Sequence, residues 1–208
     1  MTLFNMNKEI FFKLAKLFND NGYRLFVIGG TSRDYLLNKE VYDYDFVSDA
    51  TPIDMKKFLP EANYHFEKYG SVRTKVDGVH VDITTLRIEE GYSDYRHPSK
   101  ITYVKEIEKD YVRRDFTINA IYLDEKLNVI DPAHGLDDLK NKLIRFIGDP
   151  KTRIKEDPLR ILRAERFAKK LKFVIEPKSL EAIEKYRDLL AKINPEKIKE
   201  EIRKSELK

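Results

Sequence analysis

From residue 151 onward the chain has a single hydrophobic period, and it is helical. Leu159, Leu162 and Arg166 share one side, and Ile161, Ala164, Ala168 and Leu171 share another. Ahead of that point the apolar runs are short and end at turn residues. "RLFVIGG" (24–30) reads as a strand ending at two glycines, and "TSRDYLLN" (31–38) as a helix capped by Thr31 or Ser32. "YDYDFVS" (42–48) is the next strand. "DATPIDMKKFL" (49–59) starts a helix with Thr51 ahead of Pro52 at the first helical position. Residues 65–87 read as two strands around "DG", a hairpin signal, and "FTINAIYLD" (116–124) as a further strand. Residues 89–100 have no apolar period and read as a loop, while the first helix carries Ile10, Leu14 and Leu17 on one face. The change of period predicts an α+β head over 1–145, a small mixed sheet with helices on one face. An all-helical neck over 146–208 follows.

Composition bounds the function. The 208 residues suffice for one or two domains. There is no cysteine, so disulfides and thiolate metal sites are excluded, which suits a reducing cytoplasm. No run reaches the ~18 apolar residues of a membrane span, and the N-terminus lacks the cationic start and small-residue cleavage site of a signal peptide. Residues 1–150 hold 22 Lys/Arg against 25 Asp/Glu, net −3, whereas residues 151–208 hold 18 against 11, net +7. An acidic front and a basic back fit a catalytic part followed by a polyanion-binding helical part; a solvated helical surface is the plainer reading of the charge by itself.

The candidate chemistry lies in "VIGGTSRD" (27–34) and "YDYDFVS". Gly29 and Gly30 let a ligand approach the backbone, and N–H groups at a helix start attract phosphate, which Arg33 reaches one turn on. Asp43 and Asp45 are one residue apart, so on a strand they point the same way and repel. A divalent cation resolves that repulsion; Mg²⁺ takes oxygen ligands, one or two protein carboxylates plus substrate phosphates. Asp82 offers a third carboxylate from a neighbouring strand, or pairs with Arg73 or Arg87 instead.

"GGTSRDYLLN…YDYDFVSDATP" resembles the signature of the polymerase-β-type nucleotidyltransferase superfamily. "VDITTLR" (81–87), "GYSDYRHPSKITYV" (91–104), "RRDFTINA" (113–120), "EDPLRILRAERFAKKL" (156–171) and "INPEKIKEEIRK" (193–204) follow in order. Together they resemble the class II tRNA nucleotidyltransferases, or CCA-adding enzymes, and the related bacterial poly(A) polymerases. "YSDYRHP" leans towards the tRNA enzymes. The resemblance implies a polymerase-β-like head and a helical neck. It further implies template-independent addition of C and/or A from CTP or ATP to the 3′ end of tRNA, with release of pyrophosphate. Asp43 and Asp45 would hold two Mg²⁺ ions, with Asp82 as a possible third ligand. Gly29, Gly30 and Arg33 would hold the triphosphate, with Asp34 buttressing the turn.

In "RRDFTINA" the same resemblance assigns Arg114 and Asp115 to the nucleotide sugar and phosphates, against a strand-edge salt bridge as the plainer reading; Asn119 reads as a backbone anchor. In "EDPLRILR", Asp157, Arg160 and Arg163 are three apart, so on one helix they line one face. An i,i+3 ion pair is the plain reading. The resemblance makes Asp157 and Arg160 the base readers. Cytosine and adenine both offer an amino group beside a bare ring nitrogen, which a carboxylate and a guanidinium satisfy; uracil and guanine present the reverse order. Arg163 is then placed for a phosphate, and Glu156 positions Arg160 or caps the helix. Residues 89–110 read as a mobile loop with Asp94, Arg96 and His97 as its polar core. Enzymes of this kind are about twice as long, so body and tail domains are expected to be absent here. A poly(A) polymerase, or a truncated inactive nucleotide- or RNA-binding module, stands as the alternative.

Overall fold

A computed structural model describes residues 6–92, 95 and 98–206. In chain order the elements are α1 (Lys8–Asp20), β1 (Leu25–Val27), α2 (Gly29–Leu36), β2 (Tyr44–Ser48), α3 (Pro52–Phe58), β3 (Ser71–Val76), β4 (Val79–Thr85), β5 (Arg87–Tyr92), β6 (Pro98–Tyr103) and α4 (Ile107–Asp110). There follow β7 (Tyr122–Leu123), β8 (Val129–Ile130), α5 (Gly135–Lys140), β9 (Leu143–Ile144), α6 (Pro150–Glu156), α7 (Leu159–Leu171), β10 (Val174–Ile175), α8 (Pro177–Tyr186) and α9 (Pro195–Glu206). They form two compact units that interleave in sequence: residues 1–88, 101–111 and 119–133, and residues 89–100, 112–118 and 134–208.

The first unit is built on a six-stranded mixed sheet of order β3-β4-β2-β1-β7-β8. β2 runs antiparallel to β1 and parallel to β4. Period-two alternation gives the sheet two apolar faces. On one, Leu25, Val27, Tyr44, Phe46, Val72, Val81 and Ile83 pack with Ile10, Phe11, Leu14, Ala15 and Phe18 of α1 and Met55 of α3. The α1 stripe is wider than Ile10, Leu14 and Leu17, because two phenylalanines join it. On the other face Phe26, Ile28, Val47, Leu86, Ile107 and Tyr122 form a second cluster. Asp45 alternates with Tyr44 and Phe46 and so lies on the face of Val47. Thr51 caps α3 with a reciprocal capping box to Asp54, with Pro52 in the first turn, as the sequence predicts.

Two expectations change. Residues 89–100 are not a plain loop: β5 and β6 pair as a separate two-stranded sheet. No residue of either strand is buried, so they lack the apolar alternation that would reveal them. Asp94, Arg96 and His97 lie outside the described residues. Residues 116–124 are not one strand either. Thr117–Asn119 is a 3₁₀ turn, and only Tyr122 and Leu123 join the sheet. β-propensity yields there to polar anchoring, since Asp115 accepts from the N–H of Phe116 at 2.7 Å and Asn119 is engaged by Arg33.

Beyond its parts of β5 and β6, the second unit is largely helical, with a two-residue parallel pairing of β9 with β10. Phe116, Phe146 and Phe167 cluster in its core, with ring centroids 4.9 and 5.8 Å from Phe116. The helices α7 and α9 are tied by Arg166, whose Nε donates to buried Glu201 at 2.6 Å. The helical stretch from 151 is broken at Asp157, as it is again between α7, α8 and α9: α6 ends at Glu156, Asp157 is extended (φ −146°, ψ 95°), and α7 begins at Leu159. Pro158 therefore precedes the first helical residue of α7 and cannot continue α6.

Candidate active site

In the first unit the strand–glycine–helix turn is built around Asp45. Gly29 has φ +70°, a left-handed conformation that suits glycine, and a Cβ placed on it would meet Asp45 Oδ2 at 3.3 Å. The helix α2 starts at Gly29, two residues earlier than the sequence predicts, and has no side-chain cap. Thr31 is spent differently. Its hydroxyl donates to the carbonyl of Asp43 at 2.8 Å and accepts from the N–H of Asp45 at 2.8 Å. One side chain thus fixes the backbone of both aspartates. Asp43 is exposed just before β2, and Asp45 is half-buried at its second residue.

Arg33, expected at the triphosphate, is only 2% exposed. Its Nε and Nη2 donate to Asp34 at 2.8 and 2.9 Å, and Nη1 donates to Asn119 Oδ1 at 2.8 Å. In this conformation it braces the glycine turn against the 119 segment, with Asp34 as the buttress and Asn119 as the anchor. Asp82 faces Asp45 directly across the parallel β2–β4 ladder. Its carboxylate takes both prongs of Arg73, at 2.7 and 2.8 Å, so the pairing reading of Asp82 holds in this conformation. That hydrogen bond raises the Arg73 pKa, with the charges of Asp43 and Asp45 contributing in the same direction. Among the described residues no group of three or more His, Cys, Asp or Glu is arranged to hold a metal ion. Two carboxylates beside an open glycine turn fit an ion whose remaining ligands come from substrate phosphates and water.

The second unit gathers the arginines. Arg160, 6% exposed, donates through Nη1 to Glu156 and to the carbonyl of Arg153, both at 2.8 Å. Glu156 thus holds Arg160 rather than capping a helix. Arg153 is also buried; it donates to Glu156 and, through Nη2, to the carbonyl of Arg114 at 3.0 Å. Its Nε is buried with no hydrogen-bond partner among the described residues. Burial first, then the charge of Arg160, pushes the Arg153 pKa down. The ring of Tyr92 lies 6.0 Å from the Arg160 guanidinium carbon, and its hydroxyl donates to Glu89 at 2.6 Å. Burial, then the charge of Glu89, raises the Tyr92 pKa, which keeps the phenol a donor.

Asp157 does not share a helix face with Arg160, because the chain breaks between them. Its Oδ1 accepts from the N–H of Leu159 at 3.1 Å and so starts α7. Arg163 does not stand apart for a phosphate: its Nε donates to Asp115 at 2.8 Å. The plain salt-bridge reading of Asp115 is realised, though with a helix partner rather than at a strand edge. Sequence reasoning missed Thr31 as a strand clamp, Tyr92 with Glu89, and Arg153. Arg153 alone carried a local signal, lying three residues before Glu156.

The family described as "Poly A polymerase head domain" matches residues 25–145, more than half of the chain. The chain belongs to this family. Among its relatives the CCA-adding enzyme of Pediococcus pentosaceus is 45% identical over 185 residues, covering 89% of this chain and 47% of the relative. The crystal structure of the Bacillus stearothermophilus CCA-adding enzyme in complex with CTP superposes with a TM-score of 0.87 at 32% identity, over 95% of this chain and 48% of that one. A tRNA nucleotidyltransferase complexed with a primer tRNA and an incoming ATP analog gives 0.75 at 32% identity, over 91% and 55%. The chain therefore has the nucleotidyltransferase fold of these enzymes and spans about half the length of the relatives it matches. No helix among the described residues is long and apolar enough to cross a membrane.

Proposed function

We propose that this poly(A) polymerase head family member carries the catalytic and base-selecting parts of a tRNA nucleotidyltransferase, adding C and A from CTP and ATP to the tRNA 3′ end. The observation that carries the reading is the Asp43–Asp45 pair, clamped by Thr31 and set against the bare backbone of Gly29. The 45% identity to a CCA-adding enzyme supports the choice of reaction.

Asp43 and Asp45 would hold Mg²⁺, which when bound supplies activation of the RNA 3′-hydroxyl and neutralises charge on the pyrophosphate. The 3′-oxygen attacks the α-phosphorus, the bond to the bridging oxygen of the pyrophosphate breaks, and pyrophosphate leaves. Gly29 and Gly30 admit the phosphates to the backbone, and Arg33 keeps that turn rigid. The Asp115–Arg163 pair would open towards the ribose and phosphate, with Arg114 beside it. Asp157 would accept from the base amino group while Arg160, aimed by Glu156, donates to the ring nitrogen. Each can serve cytosine and adenine but not uracil or guanine. A cytoplasmic location follows from these substrates.

A poly(A) polymerase is the second reading, favoured by the description of the matching family. The test is primer extension on tRNAs ending at the discriminator base, at C and at CC, with Mg²⁺ and each nucleotide alone or mixed. Stepwise growth to CCA supports the proposal; runs of A without prior C favour the polymerase. No extension, with binding of CTP and ATP that persists in Asp43→Ala and Asp45→Ala, makes the chain a binding module. Asp45→Asn should abolish extension with circular dichroism unchanged, and Arg160→Ala should let UTP or GTP compete.

A further inference from the structure

The row Asp45–Asp82–Arg73 crosses three strands. Asp45 of β2 is in register with Asp82 of β4, and Asp82 with Arg73 of β3. Their neighbours Phe46, Ile83 and Val72 belong to the cluster packed on α1. All three polar residues therefore lie on the opposite face, side by side at about one strand spacing, ~4.8 Å. Two carboxylates at adjacent register positions repel, and a metal between them would draw both in. Arg73 offers the other solution. Its planar fork takes both oxygens of Asp82, and a guanidinium does not deprotonate.

We propose that Arg73 is a resident counter-ion that keeps Asp82 off the metal. The Asp43–Asp45 site then holds a divalent cation well only when nucleotide phosphates complete it. The inference rests on the metal reading of Asp43 and Asp45. Arg73 is suited to the task because its side chain is 58% exposed, so the pair is replaceable rather than locked in the core. Its charge also acts on Asp43 and Asp45, which disfavours a bare cation between them. The consequence is that metal and nucleotide bind as a pair, and metal alone leaves the site without filling it.

The test is Mn²⁺ titration of the full chain by electron paramagnetic resonance, with and without CTP. The wild type should bind Mn²⁺ weakly alone and more tightly with CTP. Arg73→Gln should tighten nucleotide-free Mn²⁺ binding by about tenfold, since a freed carboxylate raises ligand charge. It should also shrink the enhancement by CTP. Arg73→Lys, which keeps the charge without the fork, should fall between. In Arg73→Gln/Asp82→Asn the tightening should vanish. An unchanged affinity in both Arg73 variants overturns the proposal, and so does tightening that survives in the double variant. Asp45→Asn separates the two readings. If it leaves Mn²⁺ binding intact, the metal assignment falls and this inference with it. If it abolishes binding while Arg73 has no effect, only this inference falls.

Discussion

Gly29 leaves room beside the Asp45 carboxylate: a Cβ at position 29 would lie 3.3 Å from Asp45 Oδ2. Gly29→Ala therefore meets two obstacles, the positive φ and the carboxylate. The left-handed conformation alone is expected to cost about 1–2 kcal/mol in urea unfolding. Extension should fall by more than the stability loss accounts for, because the methyl group displaces Asp45. A variant that unfolds earlier but turns over normally would remove Gly29 from the site.

The Thr31 hydroxyl serves Asp43 and Asp45 at once. Thr31→Val keeps the shape and deletes both bonds. A loss of about 1–3 kcal/mol is expected in denaturant titration. Thr31→Ser should recover most of it. If Val and Ser behave alike, the hydroxyl is not the clamp.

Glu156 is a shared counter-charge for Arg153 and Arg160, both buried. Glu156→Gln should destabilise the chain by about 1.5–3 kcal/mol, the range for hydrogen bonds to charged groups. Nucleotide selection should loosen as well, since Arg160 loses its orientation. Unchanged discrimination between CTP and UTP in competition assays would show that Arg160 is held by the backbone carbonyls alone.

Asp54 in the capping box of α3 is pulled down to about 2, chiefly by the Thr51 hydroxyl. The folded pKa lies below the unfolded value of about 3.9. The stabilisation is therefore complete above that value and is lost as pH falls through about 2. The difference in urea stability between wild type and Asp54→Asn should be constant at neutral pH and shrink below about pH 4. A difference that grows on acidification would reverse the assignment. Thr51→Ala should cost about 1 kcal/mol at neutral pH.

The order of elements around the candidate site was legible because each rests on local chemistry. The glycines after an apolar strand, the Thr51–Pro52 start of α3 and the "DG" hairpin are short-range signals. Aspartates one residue apart at the start of a strand mark a candidate site by the repulsion they must overcome. The same pattern reading failed for residues 116–124, where Arg33, far away in sequence, engages Asn119. It failed again at Asp157, where an extended residue and a proline separate two helices.

What the sequence by itself determined is the chemistry on offer: two carboxylates at Asp43 and Asp45, a glycine turn, and the Asp157 carboxylate three residues before the Arg160 guanidinium. The tertiary structure decided which charges are already committed. Strand register put Asp82 beside both Asp45 and Arg73, and tertiary packing gave Arg163 to Asp115. Those pairings link residues up to 48 positions apart. Long-range electrostatic choices of this kind depend on which backbones come together, and no local pattern of residues encodes them.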